Sequence, residues 1–222
     1  MQHRRRALHA VPLFFLPFSL LGPGIGEKLA AEAERILQNV KTTEYAHKTD
    51  VDESSGSYKL DCSGLVCLAL KKVSMDAYKA IPCSGTEKRP LAHDFYDCFS
   101  GAPPTDKAPA EAKWSRIEKL ADAHPGDVVT WKNENYQPGE NTGHVMIIVE
   151  PPEADGKDLF RVVVIDSSAH GHGNDTRKKG ESGVGRGTLW SSVNENGAPV
   201  GVRFTTKTGT LNPKPMAIGR LQ

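Results

Sequence analysis

Apolar and polar positions change rhythm once along this chain. Between Glu27 and about Ala46 the apolar residues Leu29, Ala33, Ile36, Leu37 and Val40 recur at helical spacing on a charged segment, which predicts an amphipathic helix. A polar loop from Lys48 to Ser57 follows. From Leu65 to Leu70 every residue is apolar or small, and the run breaks at Lys71-Lys72. Cys62 to Lys72 therefore reads as a buried helix with a cationic end, against which the first helix is expected to pack. From Val73 to Trp114 the pattern is irregular, with loop signals at Gly101-Ala102-Pro103-Pro104 and Lys107-Ala108-Pro109.

Beyond Trp114 the rhythm becomes that of strands, although Trp114 to Ala121 fits either a short strand or a helical turn. Pro125-Gly126-Asp127 is a turn that delivers the β-branched and aromatic run Val128-Val129-Thr130-Trp131. Two apolar runs, His144 to Val149 and Phe160 to Ile165, flank a connection whose turn signal is Asp155-Gly156. Gly187 to Trp190 and Val200 to Phe204 predict a further hairpin around Asn196-Gly197. Helices first, then an antiparallel meander: the expected fold class is α+β.

Composition narrows the function classes. The 222 residues are 38% hydrophobic and 25% charged with net charge +1, which suits one soluble domain and gives no bulk attraction to nucleic acid or an acidic membrane. Residues 1–33 stand apart. Arg4-Arg5-Arg6, an apolar stretch from Ala10 to Leu21 too short to span a bilayer, and small residues through Ala33 resemble a secretory signal. Pro12, Pro17 and Pro23 argue instead for a disordered N-terminus. On either reading the domain is expected at residues 34–222, with no integral membrane segment in the mature chain. A signal there implies an extracytoplasmic protein, periplasmic or secreted. In an exported protein Cys83 and Cys98, in a loop-rich stretch, are candidates for a disulfide worth about 3 kcal/mol.

The candidate chemistry begins at Cys62. A thiol in the first turn of a helix meets unpaired N–H groups whose partial positive charge favours thiolate. A buried core cysteine is the plainer alternative. If the two apolar runs form a hairpin, residues pair where their numbers sum to about 311. His144 then faces Asp166 and Ser167 at the same open end. An imidazole and a carboxylate so placed are the base and orienting group that a thiol nucleophile needs. Taken singly, His144 reads as a turn residue and Asp166 as a cap.

Asp61-Cys62-Ser63-Gly64-Leu65-Val66, Pro125-Gly126-Asp127-Val128-Val129 and Gly143-His144-Val145-Met146-Ile147-Ile148-Val149 resemble, in order, the three signature blocks of the NlpC-type cell-wall cysteine peptidases, compact relatives of papain. The resemblance covers roughly Ala33 to Ser168. It implies a papain-like domain with the nucleophile at a helix N-terminus packed on an antiparallel sheet, Cys62 as nucleophile and His144 as base. Asp166 stands where the family usually has a His. Tyr45 sits where a site-lining tyrosine is common, and Asp61 and Ser63, beside the thiol, join it as candidate substrate and oxyanion residues. The implied substrate is a peptidoglycan stem peptide or a peptide-like molecule, cleaved without a cofactor by a monomer. An amidase or lipid-acyl thiol hydrolase on the same scaffold, or an inactive cell-wall binding module, are the rivals.

Other residues compete. His170 and His172 are alternatives for the orienting role, and their His-x-His spacing invites a metal; lacking a nearby Cys or carboxylate set at ligand spacing, no metal is expected. The glycine-rich Gly183 to Gly187 matches no phosphate-binding motif and is expected to let backbone pass close to the site. Asp175, Arg177 and Arg186 read as surface ion pairs or as binders of an anionic substrate group.

Overall fold

Helix α1 spans Ile25–Asn39 in the computed structural model, which describes residues 23–84, 88–136 and 140–222. Its start is fixed by the Glu27 carboxylate, which accepts from Gly24 N at 2.9 Å. Leu29, Ala33 and Ile36 form its apolar stripe and are fully buried. Two expectations are corrected here. The stripe is continuous from Leu29 to Ile36, so the packed domain takes in the helix from Ile25 instead of starting at residue 34. The helix also stops at Asn39 instead of Ala46, because Lys41 and Thr42 donate to Gly56 O and the β-branched pair Thr42-Thr43 enters strand β1 (Thr42–Glu44). The basic and apolar parts of the expected signal, residues 4–21, lie outside the described residues.

β1 pairs in parallel with β3 (Ser57–Lys59), which pairs antiparallel with β2 (Asp50–Asp52). This small sheet leads into α2 (Cys62–Val73), which packs on α1. The irregular stretch holds two helices that periodicity missed, α3 (Met75–Lys79) and α4 (Ala92–Gly101). In α4 the Asp94 carboxylate accepts from Leu91 N at 2.8 Å, and Phe95 and Phe99 supply the buried face. Its run of His, Asp, Tyr and Cys hid that face. The expected disulfide is absent: Cys83 and Cys98 are not joined, and Cys98 on α4 turns its sulfur toward the Ala80 carbonyl at 4.0 Å.

The second half forms an antiparallel sheet of nine strands among the described residues. The strands are β4 (Trp114–Arg116), β5 (Val128–Lys132), β6 (Gly143–Ile148), β7 (Glu153–Ala154), β8 (Leu159–Ser168), β9 (Gly183–Val193), β10 (Pro199–Arg203), β11 (Asn212–Pro213) and β12 (Met216–Leu221). Their order is β11-β10-β9-β8-β6-β5-β12-β4, with β7 on the flank of β8. The fold is α+β. In β6, Val145 and Ile147 face the helices while Met146 and Ile148 face a second cluster with Trp131, Val164, Leu189 and Ile218. Cover on both faces explains why β6 and β8 read as unbroken apolar runs. Ile147 pairs with Ile165 and Ile148 with Val164, one residue from the expected register, and the β9–β10 hairpin forms as expected.

Gly126 ties the halves together. Its φ is +91°, and a Cβ there would lie 1.8 Å from Gly26 O in α1. Gly126→Ala is expected to cost on the order of 3 kcal/mol in urea unfolding, from left-handed strain plus displacement of α1. Gly101→Ala, with nothing within 4 Å of the added methyl, is expected to leave the midpoint nearly unchanged.

Candidate active site

Cys62 is the first residue of α2, capped by Asp61, whose Oδ1 accepts from Gly64 N at 2.7 Å. The cap is braced by a residue the sequence did not flag. Arg89 donates to Asp61 Oδ2 at 2.7 Å and to Ser63 Oγ at 2.5 Å, while Ser63 Oγ donates to Asp61 Oδ1 at 3.1 Å. Asp61 and Ser63 are thus buried and committed to holding the helix start, which corrects their expected contact with substrate.

His144 enters from β6. Gly143 before it has φ +138°, and a Cβ there would meet Trp131 O at 2.1 Å, so β5 and β6 close together only with glycine. The His144 ring lies against Trp131, centroids 5.2 Å apart. Its Nε2 is 2.6 Å from Asp166 Oδ2, which leaves Nδ1 as the ring nitrogen not engaged by the carboxylate, and Cys62 lies near enough to act on the ring. Burial works against a charged ring, but the Cys62 thiolate and the Asp166 contact override it and push the His144 pKa up to about 10.

Asp166, on β8, is fully buried and held on both oxygens. Oδ2 lies 2.6 Å from His144 Nε2 and 2.8 Å from His172 Nε2; Oδ1 accepts from Arg177 Nη2 at 2.9 Å. Burial alone raises a carboxyl pKa. His172 and His144, by charge and hydrogen bond, instead hold Asp166 well below the usual carboxylate range. Arg177 is itself buried and further bound by both Asp175 oxygens and by Gly183 O at 2.8 Å. Arg177 and Asp175 are therefore an internal brace, correcting their reading as surface pairs or substrate binders. Arg186 pairs with Glu150 and Glu34.

The remaining candidates fall unevenly. His170 is exposed, its N–H reaching only Ser168 Oγ at 3.5 Å, so it does not compete with Asp166. Tyr45 is half-buried, its N–H donating to Ser182 Oγ at 3.2 Å. Burial first, then the nearby Cys62 charge, raise its phenol pKa, so the hydroxyl keeps its proton. The carboxylate that the His-x-His pair lacked in sequence is Asp166: its oxygen and the Nε2 atoms of His144 and His172 lie within 4.8 Å of one another, a spacing that also suits a divalent cation. Hydrogen bonds of 2.6 and 2.8 Å already join these three atoms.

Arg89 was missed altogether and Arg177 was missed as a partner of Asp166, while His172, an alternative for the orienting role, meets Asp166 rather than the His144 ring. A signal for Arg177 and its partner Asp175 lay in the glycines of β9. A Cβ at Gly185 would sit 2.4 Å from Arg177 Nε, and one at Gly187 would sit 2.6 Å from Asp175 Oδ2. Those glycines admit side chains rather than backbone.

Fold and site together define an α+β protein with a thiol at a helix start beside an imidazole that is hydrogen-bonded to a buried carboxylate. No family model matches the chain, and no solved structure matches it. The chain is 30% identical over 183 residues to an uncharacterized protein of Acanthamoeba polyphaga mimivirus, covering 72% of this chain and 77% of that one. It belongs to the same family as that viral protein.

Proposed function

We propose that this chain is a thiol-dependent hydrolase of amide bonds, built as a papain-like, NlpC-type domain and acting on peptidoglycan stem peptides. The observation that carries the reading is the position of His144, close enough to Cys62 to feel its charge and 2.6 Å from a buried carboxylate. The substrate class comes from the motif resemblance.

The chemistry follows from the placement. The Cys62 sulfur adds to the amide carbonyl, and the developing oxyanion meets the Cys62 N–H at the helix start and the Tyr45 hydroxyl. His144, protonated, gives its proton to the leaving amine as the C–N bond breaks, leaving a thioester on Cys62. Water, deprotonated by His144, adds to the thioester carbonyl, and collapse expels the thiolate and the free acid. Asp166 holds the ring throughout, and Arg177 with His172 holds Asp166.

The reactivity of Cys62 tests this. Iodoacetamide is expected to label Cys62 and spare Cys67, whose thiol burial pushes up to about 12. Peptide hydrolysis needs the proton on His144, which the raised pKa retains, so the rate is expected to hold through neutral pH and fall as pH rises through about 10. A Cys62 labelling rate unchanged in His144→Ala would overturn the reading.

A further inference from the structure

The loop from Ala169 to Glu181 lines a half-open cavity of about 560 Å³ beside the Asp166 network. Its lining includes the His172 ring and the Arg177 side chain, both nearly buried, and its outer residues include Lys178 and Lys179. The next residue along, Ser182, accepts from Tyr45 N, so the loop abuts the side on which Cys62 lies.

The charges here are not balanced. Asp175 is saturated, accepting from His172 N, Arg177 N and the Arg177 guanidinium. Glu181 accepts from Lys178 N at 2.8 Å. The Arg177 guanidinium is shared among Asp166, Asp175 and Gly183 O. Lys178 and Lys179 have no carboxylate partner among the described residues. The His172 Nδ1, on a side chain 3% exposed, is buried with no hydrogen-bond partner. Two uncompensated ammonium groups and a buried ring nitrogen without a partner on one cavity suit an anionic group.

We infer that this loop is a subsite for an acidic residue of a peptide substrate, its carboxylate held by Lys178 and Lys179. The inference rests on the hydrolase reading for its role, but the occupancy of the loop is measurable without turnover. In Cys62→Ala protein, N-acetyl-glutamate amide is expected to shift the backbone NMR signals of residues 169–181, while N-acetyl-glutamine amide binds roughly five- to tenfold more weakly, as two exposed ion pairs allow. The double variant Lys178→Glu/Lys179→Glu is expected to erase or reverse that preference. Equal binding of both amides, no shift in this loop, or a preference unchanged in the double variant would each overturn the subsite. In wild-type protein, chloroacetyl peptides carrying Glu or Gln give the second arm. If they alkylate Cys62 at equal rates the subsite fails, whereas if neither alkylates it the hydrolase reading fails and the binding result stands by itself.

Discussion

Cys62→Ala protein is expected to be folded and inert. On the proposed mechanism, loss of the sulfur removes the covalent route altogether, a fall of roughly 10⁴-fold or more in hydrolysis. Cys62 is 4% exposed and small, and its exchange for alanine deletes one atom, so stability should change by no more than about 1 kcal/mol. The pairing of these outcomes is informative, because a purely structural cysteine leaves the rate intact. Cys67 supplies the comparison. It is 2% exposed, with its sulfur 3.8 Å from Pro90 O, and Cys67→Ala is expected to cost a similarly small amount of stability while leaving the rate nearly intact. Activity retained in Cys62→Ala would remove Cys62 from the chemistry.

Asp166→Asn is expected to do two kinds of damage. An amide of the same shape cannot take up the His144 and His172 contacts on one oxygen and the Arg177 donor on the other while placing its own NH₂, so the His144 ring loses its fixed tautomer. Loss of such an orienting carboxylate costs roughly 10²- to 10⁴-fold in rate. Because the Asp166 contact helps to raise the His144 pKa, the alkaline fall in activity should also move below about 10. In the core, Arg177 loses one of its two carboxylate partners, a buried-charge loss of about 3 kcal/mol in urea unfolding. A variant with wild-type rate and stability would deny Asp166 both roles.

Much of this architecture is written in short stretches, and the reasons differ from place to place. Cys62, His144 and Asp166 were legible because each sits where an apolar run ends, and hairpin geometry brings the last two to one end within a residue of error. The α+β class followed from the change of rhythm at Trp114. Helix α4 was not legible, since its two buried phenylalanines lie among polar residues on a face only tertiary packing defines. Arg89 and Arg177 were opaque for a related reason. A charged side chain in a loop reads as solvated until its partners are known, and those partners lie 28 and 11 residues away in sequence. Asp61 and Ser63 misled in the opposite direction. Adjacency to a thiol suggested substrate contact, whereas their geometry serves the cap.

Helix α1 bears on how this chain can be matured. Cleavage among the small residues around Ala30 to Ala33 would excise Leu29 and leave Ile36 on a stub too short to remain helical. The groove vacated beside α2 would open the very scaffold that presents Cys62. Any trimming protease that leaves a working molecule must therefore cut upstream of Gly24, where Glu27 clasps the helix start.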